Sequence, residues 1–339
     1  MKLNTLFFLT VVGRCFAAQY SIDKSCNSNE HAGFRDGIVA GWQEALDLIN
    51  NAFDVMTNHA GDEKVQAMCR YLFGNADFDN KFNQARATLG NIRVFARDPS
   101  PFEPQDDRWK ATRSNADVEV YCDAVRIVPE EGTKYHWDTA REQRFWADMT
   151  PKLQACHDPR NTNHLTMATT WKSDLFDMGR YFKAKRAARA IGGTAAAAAV
   201  DRALFTTLRP THVNTMDLCF WFLKLMADRN WPKIDSEQVE LAKTPEFINA
   251  LTGAKLPVDG LQTMSGLFVH EMTHTNQGGS LVDQTENDIP GAGRQCYGWR
   301  CCGLLQDVRN SDTIHMLAVA LKIWSLKHWV NADGQIIPL

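Results

Sequence analysis

Residues 261–275 read LQTMSGLFVHEMTHT and contain the clearest helical pattern that also carries candidate functional residues. Its apolar residues recur at helical spacing: Met264, Leu267, Phe268 and Met272. The Asp259-Gly260 pair is placed to form the turn before them. The pattern therefore predicts a buried, amphipathic helix.

This predicted helix carries a short metal-binding pattern, His270-Glu271-Met272-Thr273-His274. Two histidines four residues apart lie on one helical face, so both imidazoles can reach a single Zn²⁺ at about 2.0–2.1 Å. Glu271 points to the neighbouring side of that face, where it can act as general base toward a zinc-activated water. Because the pattern fixes only three positions, an accidental match in a structural secreted protein is an alternative.

A zinc peptidase also needs a third protein ligand, and acidic residues follow the predicted helix. Gly278 and Gly279 would let the chain turn sharply and bring a carboxylate back toward the metal. Asp283 comes first and is the predicted ligand, with Glu286 and Asp288 behind it. The alternative for each is an acid in a solvated loop.

The rest of the chain predicts an α+β fold that is predominantly helical with a small sheet. Apolar residues at helical spacing predict a helix from His31 to about Asn58, a second through Val65 and Leu72, and a third from Phe78 to Leu89. Two stretches are each predicted to be a strand, Ala116–Val128 and Met216–Phe222. The alanine-rich stretch Lys183–Val200 is either an exposed helix or a surface arm.

The N-terminus and the cysteines both favour a secreted protein. Residues 1–17 combine Lys2, a short apolar run and small residues, which is typical of a signal peptide; a buried N-terminal element is the alternative. Eight cysteines remain without Cys15, and an even, scattered set predicts four disulfides. Adjacent Cys301 and Cys302 are expected to pair with different partners.

Composition excludes some classes of partner. The 339 residues carry a net charge of only −3, from 37 basic and 40 acidic residues, without a basic stripe for nucleic acid. No apolar stretch reaches the about 18 residues of a membrane span. We therefore expect neither a nucleic-acid nor a membrane partner. The expected substrates are proteins or peptides, and the chain is expected to be a monomer. Residues 18–339 are predicted to form a single metallopeptidase-like domain, with a helical N-terminal part (about 26–110) and a catalytic part (about 111–330).

The motif region resembles a known family. His270-Glu271-x-x-His274, then Gly279-Ser280 and Asp283, then Tyr297-Gly298, is similar to the aspzincin metallopeptidases, which include deuterolysin and the peptidyl-Lys metalloendopeptidases secreted mainly by fungi. Asn310-Ser311-Asp312 is similar to the family's closing Asn-Ala-Asp segment. The resemblance implies a zincin-like α+β fold and one Zn²⁺ per chain. It further implies His270, His274 and Asp283 as ligands, Glu271 as general base and Tyr297 as a hydroxyl that stabilises the oxyanion.

One departure from the family pattern leaves two hypotheses open. In the family the aspartate precedes Tyr-Gly by three residues, whereas Arg294 occupies that position here. Either an insertion separates Asp283 from Tyr297, or the third ligand is lost and Tyr297 is only a packed aromatic. The first hypothesis predicts a secreted zinc metalloendopeptidase. The second predicts a catalytically degenerate zinc-binding or interaction protein that keeps the peptidase fold.

Overall fold

The computed structural model describes residues 17–27, 33–133, 135–140, 143–146, 156, 166–172, 190, 213–251, 255–285 and 295–339. Helices and short strands both occur along the chain, which is compatible with the expected α+β class. The helices are α1 (Phe34–Asn58), α2 (Glu63–Phe73), α3 (Phe78–Ile92), α4 (Asp107–Thr112), α5 (Phe220–Asp228), α6 (Ser236–Ala242), α7 (Pro245–Ala250), α8 (Met264–His274), α9 (Trp299–Leu305) and α10 (Ser311–Ser325). The strands are β1 (Tyr20–Ile22), β2 (Val118–Tyr121), β3 (Ile127–Pro129), β4 (Tyr135–Asp138), β5 (Gln143–Trp146), β6 (Ala168–Trp171), β7 (Asn214–Leu218), β8 (His328–Val330) and β9 (Ile336–Pro338).

The largest sheet of the described chain is mixed and has the strand order β1-β2-β7-β6. β1, β2 and β7 run parallel, with Val120 opposite both Ile22 and Met216, whereas β6 pairs antiparallel with β7. β3, β4 and β5 form a separate antiparallel sheet, and β8 and β9 form a two-stranded one. The mixed sheet lies beside α8, because β6 packs against that helix.

Helix α8 is the centre of the packing. It lies against α1 on one side and α10 on another, and every residue from Met264 to Thr273 is buried. Trp42 of α1 packs edge-on against Phe268, with ring centroids 5.2 Å apart. The expected burial of this helix is therefore confirmed, but the expected amphipathic character is wrong, because the neighbours of α8 cover its polar residues as well as its apolar ones.

Local capping explains where several helices begin. The Asp62 carboxylate accepts from the backbone N–H groups of Lys64 and Val65 at the start of α2, and the Thr263 hydroxyl accepts from Gly266 N at the start of α8. Such side-chain acceptors satisfy N–H groups that have no partner within the first helical turn. α8 therefore begins at Met264, three residues after the start of the predicted stretch.

The sequence predicted the N-terminal helices better than the strands, because Ala116–Val128 contains β2 and the beginning of β3, which belong to different sheets. α1, α2 and α3 confirm the three helical predictions, although His31 lies outside the described residues. The strand expected over Met216–Phe222 is wrong beyond Leu218, because α5 begins at Phe220. Phe222, Leu223 and Met226 are buried on one face of α5, so the apolar alternation there is the beginning of a helical pattern.

The cysteines form fewer bridges than expected. Disulfides join Cys26 to Cys122, Cys156 to Cys219 and Cys296 to Cys301, whereas Cys69 and Cys302 are buried free thiols. The expectation of four disulfides is therefore wrong for this structure. The expectation of different partners for Cys301 and Cys302 is also wrong, because only Cys301 forms a disulfide. Cys69 instead fills interior space as a small apolar side chain, whereas the Cys302 thiol lies 3.7 Å from Asp312 Oδ2. The three disulfides are compatible with an extracellular protein.

Two predictions concern segments outside the described residues. These are the signal peptide, of which residues 1–16 are not described, and the alanine-rich stretch Lys183–Val200, of which only residue 190 is described. In the described part of the chain, no helix has the length and apolar character needed to cross a membrane.

Candidate metal centre

The C-terminal turns of α8 bring two imidazoles together. His270 and His274 lie one helical turn apart, and their ring centroids are 4.9 Å from each other. The two Nε2 atoms face each other at 3.2 Å. The expected placement of both histidines on one face of a helix is therefore confirmed.

The chain reverses direction immediately after α8 and returns along the end of the helix. Leu281 N donates to Thr273 O at 2.9 Å, and Ser280 N donates to Thr275 O at 2.9 Å. The reversal passes close to the helix at Gly278, where an added Cβ would lie 2.1 Å from Met272 O. Only glycine fits at that position, and the reversal brings the following residues beside the two histidines.

Replacing Gly278 by alanine is expected to disturb both stability and metal binding. The new Cβ would meet backbone atoms of Met272 and Thr273, which cannot rotate away as a flexible side chain would. We expect a loss of about 1–3 kcal/mol in the free energy of unfolding, as is typical of overpacking. Thermal unfolding and zinc titration of Gly278→Ala measure the two effects. Gly61→Ala is the control, since nothing lies within 4 Å of its added Cβ; equal stability of the two variants would contradict the tight reversal.

Asp283 lies at the end of the returning segment and faces both imidazoles. Its Oδ1 is 3.0 Å from His270 Nε2 and 3.4 Å from His274 Nε2. A tetrahedral ion with bonds of about 2.0–2.1 Å places its ligand atoms about 3.3–3.4 Å apart, close to these separations and to the 3.2 Å between the imidazole nitrogens. Asp283 Oδ1 is also buried without a hydrogen-bond partner. Together the three side chains form a group that could hold a metal ion.

Each imidazole is oriented through its other ring nitrogen. His274 Nδ1 lies 2.9 Å from Leu281 O and 3.1 Å from Ser311 Oγ. Because a carbonyl oxygen can only accept, Nδ1 of His274 is the donor in this contact, and Nε2 is directed toward the other two side chains. His270 Nδ1 lies 3.3 Å from Asp312 Oδ1. In both rings, Nε2 faces Asp283 and is the nitrogen that could bind a metal ion in this group.

Protonated imidazoles and the neighbouring carboxylates attract each other in this site, and this attraction shifts the pKa values of both kinds of group. Burial would lower the pKa of His270, but the Asp283 and Asp312 carboxylates outweigh it and raise that pKa well above its ordinary value. Burial would raise the pKa of Asp283, but its interactions with His270 and His274 hold it far below the usual range. A metal ion that binds here must displace a proton from imidazole, so its affinity is expected to fall as the pH falls.

Glu271 lies next to this group and carries an unpaired oxygen. The residue is buried, and its Oε2 has no hydrogen-bond partner among the described residues. Its charge raises the pKa of both His270 and Tyr297, so the carboxylate is electrostatically coupled to both rings. A buried carboxylate oxygen without a partner is costly in a stable fold and is common where a site is built for a ligand.

Tyr297 completes the rim of the site. Its hydroxyl lies 3.2 Å from Asp283 Oδ2 and 2.8 Å from Gln295 Oε1, and the residue is 47% exposed. Tyr297 therefore presents a polar contact to Asp283 as well as a partly exposed ring. Burial of the hydroxyl and the carboxylates of Asp283 and Glu271 raise its pKa, so the phenol stays neutral and able to donate a hydrogen bond. A role toward an oxyanion remains a prediction.

Other predicted residues lie outside the described residues: Glu286, Asp288 and Arg294. Two residues beside His270 had no role assigned to them from the sequence, Asp312 and His315. Asp312 Oδ1 accepts from His315 Nδ1 at 3.0 Å, and these residues form with His270 a second group that could hold a metal. Their i, i+3 spacing on a helix was a signal available in the sequence.

Comparisons with family models, with curated proteins and with solved structures found no match for this chain.

Proposed function

We propose that this protein is a zinc-dependent endopeptidase. The observation that carries the proposal is the convergence of His270 Nε2, His274 Nε2 and Asp283 Oδ1 within 3.0–3.4 Å of one another. Beside them lies Glu271, a buried carboxylate with an unpaired oxygen. Two imidazoles and one carboxylate are the donor set of many catalytic zinc sites, which keep a fourth position for water or substrate.

The residues around the proposed ion divide the work of hydrolysis. A zinc ion held here would polarise a peptide carbonyl and lower the pKa of a water molecule toward about 7. Glu271 would accept the proton of the attacking water and pass it to the leaving amine. Tyr297 has a neutral hydroxyl, 3.2 Å from Asp283, that would donate to the developing oxyanion once it leaves that carboxylate.

We further propose that the chain is an aspzincin-like enzyme secreted from the cell. The order of the residues supports this proposal: the two histidines and Glu271, a glycine-containing reversal, Asp283, and then Tyr297-Gly298. Tyr297 follows Asp283 by fourteen positions in the sequence, but the two are close in space, since Tyr297 Oη lies 3.2 Å from Asp283 Oδ2. Three disulfides and the apolar N-terminal segment support the extracellular location.

Metal removal tests the proposal directly. We expect the purified protein to contain one zinc per chain and to cleave casein, to lose cleavage after dialysis against a chelator, and to regain it with added Zn²⁺. Free zinc at about 100 times its Kd should also stabilise the fold by about 2.7 kcal/mol, which thermal unfolding with and without zinc measures. Undiminished cleavage by protein shown to be free of metal would exclude the proposed mechanism.

The alternative function is a secreted protein that binds zinc without cleaving peptides. It is favoured by the hydroxyl of Tyr297, which contacts Asp283 and Gln295 in place of an open oxyanion position. Stoichiometric zinc together with no cleavage of casein or of a diverse peptide library would support this alternative over the enzyme.

A further inference from the structure

Asp312 lies just behind the metal-binding group, near the beginning of α10. It is 5% exposed, and each of its carboxylate oxygens has defined neighbours. Oδ1 lies 3.3 Å from His270 Nδ1 and accepts from His315 Nδ1 at 3.0 Å. Oδ2 accepts from the backbone N–H of Gly298 at 2.5 Å. One buried carboxylate therefore contacts the helix of the proposed ligands, the segment that follows Tyr297, and α10.

His270, Asp312 and His315 could hold a metal ion of their own, but the chemistry of His270 argues against it. Its Nε2 already faces Asp283 and His274, so a second ion would need Nδ1 of the same ring. A ring that binds two ions must lose both of its protons, which is unfavourable near neutral pH. Asp312 is better suited to accept the Nδ1 proton, as carboxylates next to metal-bound histidines do in many metal sites.

We propose that Asp312 is a positioning residue of the metal centre, which keeps the proton of His270 on Nδ1 and its lone pair on Nε2. The inference rests on the proposed zinc site and adds a residue to which the sequence assigned no role. Through Gly298 N, the same carboxylate also fixes the backbone next to Tyr297. Asp312 thereby couples the orientation of a ligand to the position of the hydroxyl on the rim.

The close packing of α10 against α8 supports this positioning role of Asp312. An added Cβ on Gly266 of α8 would lie 2.7 Å from His315 Nε2, so glycine lets α10 approach α8 closely. His315 Nδ1 donates to the same Asp312 Oδ1 that faces His270 Nδ1. Because two imidazoles share Oδ1, the carboxylate is held in place while it faces the ligand.

The test compares Asp312→Asn with Asp259→Asn. An asparagine amide carries two N–H donors and one acceptor, so it cannot accept from both imidazoles and from Gly298. We expect Asp312→Asn to weaken zinc binding about 10–100-fold, measured by competition with a chromophoric chelator. Asp259 is the matched control: its carboxylate accepts from Trp299 N and Leu256 N in the same region but hydrogen-bonds neither imidazole. Asp259→Asn is expected to keep wild-type zinc affinity even if its thermal stability falls.

A second measurement does not depend on whether the variant folds. In the zinc-loaded wild type with ¹⁵N-labelled histidine, we expect zinc on Nε2 of His270 and a slowly exchanging proton on Nδ1. Zinc on Nδ1, or a rapidly exchanging Nδ1 proton, would overturn the inference, as would wild-type affinity in a folded Asp312→Asn. Failure of the proposed peptidase function can be told apart from failure of this inference. If the wild type binds zinc but cleaves no peptide, both measurements still show whether Asp312 positions His270. A wild type that binds no zinc would overturn both.

Discussion

Glu271→Gln is expected to lower peptide hydrolysis roughly 10²–10⁴-fold, the usual contribution of a positioned general base. Glutamine has nearly the same shape as glutamate but cannot take a proton from water at neutral pH. Because Glu271 is absent from the group of His270, His274 and Asp283 that could hold the ion, zinc content should stay at one per chain. The measurement is kcat/KM on a fluorogenic peptide, together with metal analysis of the same sample.

A distant substitution of the same kind controls for this experiment. Glu240→Gln changes an exposed carboxylate that pairs with Lys243 and His328 on the surface. Its activity and zinc content are expected to equal those of the wild type. If Glu271→Gln cleaved peptide at a rate near that of the wild type, Glu271 would not be the general base and the mechanism would have to be abandoned.

Asp283→Ala is expected to weaken zinc binding on the order of 10³-fold, because it removes one of the three proposed protein ligands. The binding free energy of zinc in structural zinc peptides is about 10–16 kcal/mol, so each ligand contributes several kcal/mol. The imidazoles would keep their outer contacts, since His274 Nδ1 still faces Leu281 O and His270 Nδ1 still faces Asp312. Activity should fall with zinc occupancy and recover in part at high zinc concentration. Chelator competition and activity over a zinc titration give both quantities.

A nearby aspartate provides the control for the loss of Asp283. Asp307 pairs with Arg309 and is not in either group that could hold a metal, so Asp307→Ala should bind zinc as the wild type does. Unchanged zinc affinity in Asp283→Ala would show that Asp283 is not a ligand. Glu286 and Asp288, which the structure does not describe, would then become the candidates for the third position.

Much of this site follows from local regularities of the sequence. The four-residue spacing of His270 and His274 becomes proximity as soon as the segment is helical, because a helix completes a turn in about 3.6 residues. The glycines after His274 likewise indicated a reversal, and Gly278 proves too close to Met272 O for any side chain. The same reasoning failed at Phe220, since an apolar run contains both strand and helix spacing and only packing selects between them.

Local sequence patterns were therefore enough to predict the helix that carries His270 and His274, the helical N-terminal part and a mixture of helices and strands. The tertiary structure alone decided that Asp283 faces His270 and His274, that Tyr297 contacts Asp283 across fourteen residues, and that Asp312 lies behind His270. It also decided that Cys69 and Cys302 stay free. Periodicity reports which residues share a face of one element, whereas these contacts join separate elements, and their distances depend on how the whole core packs.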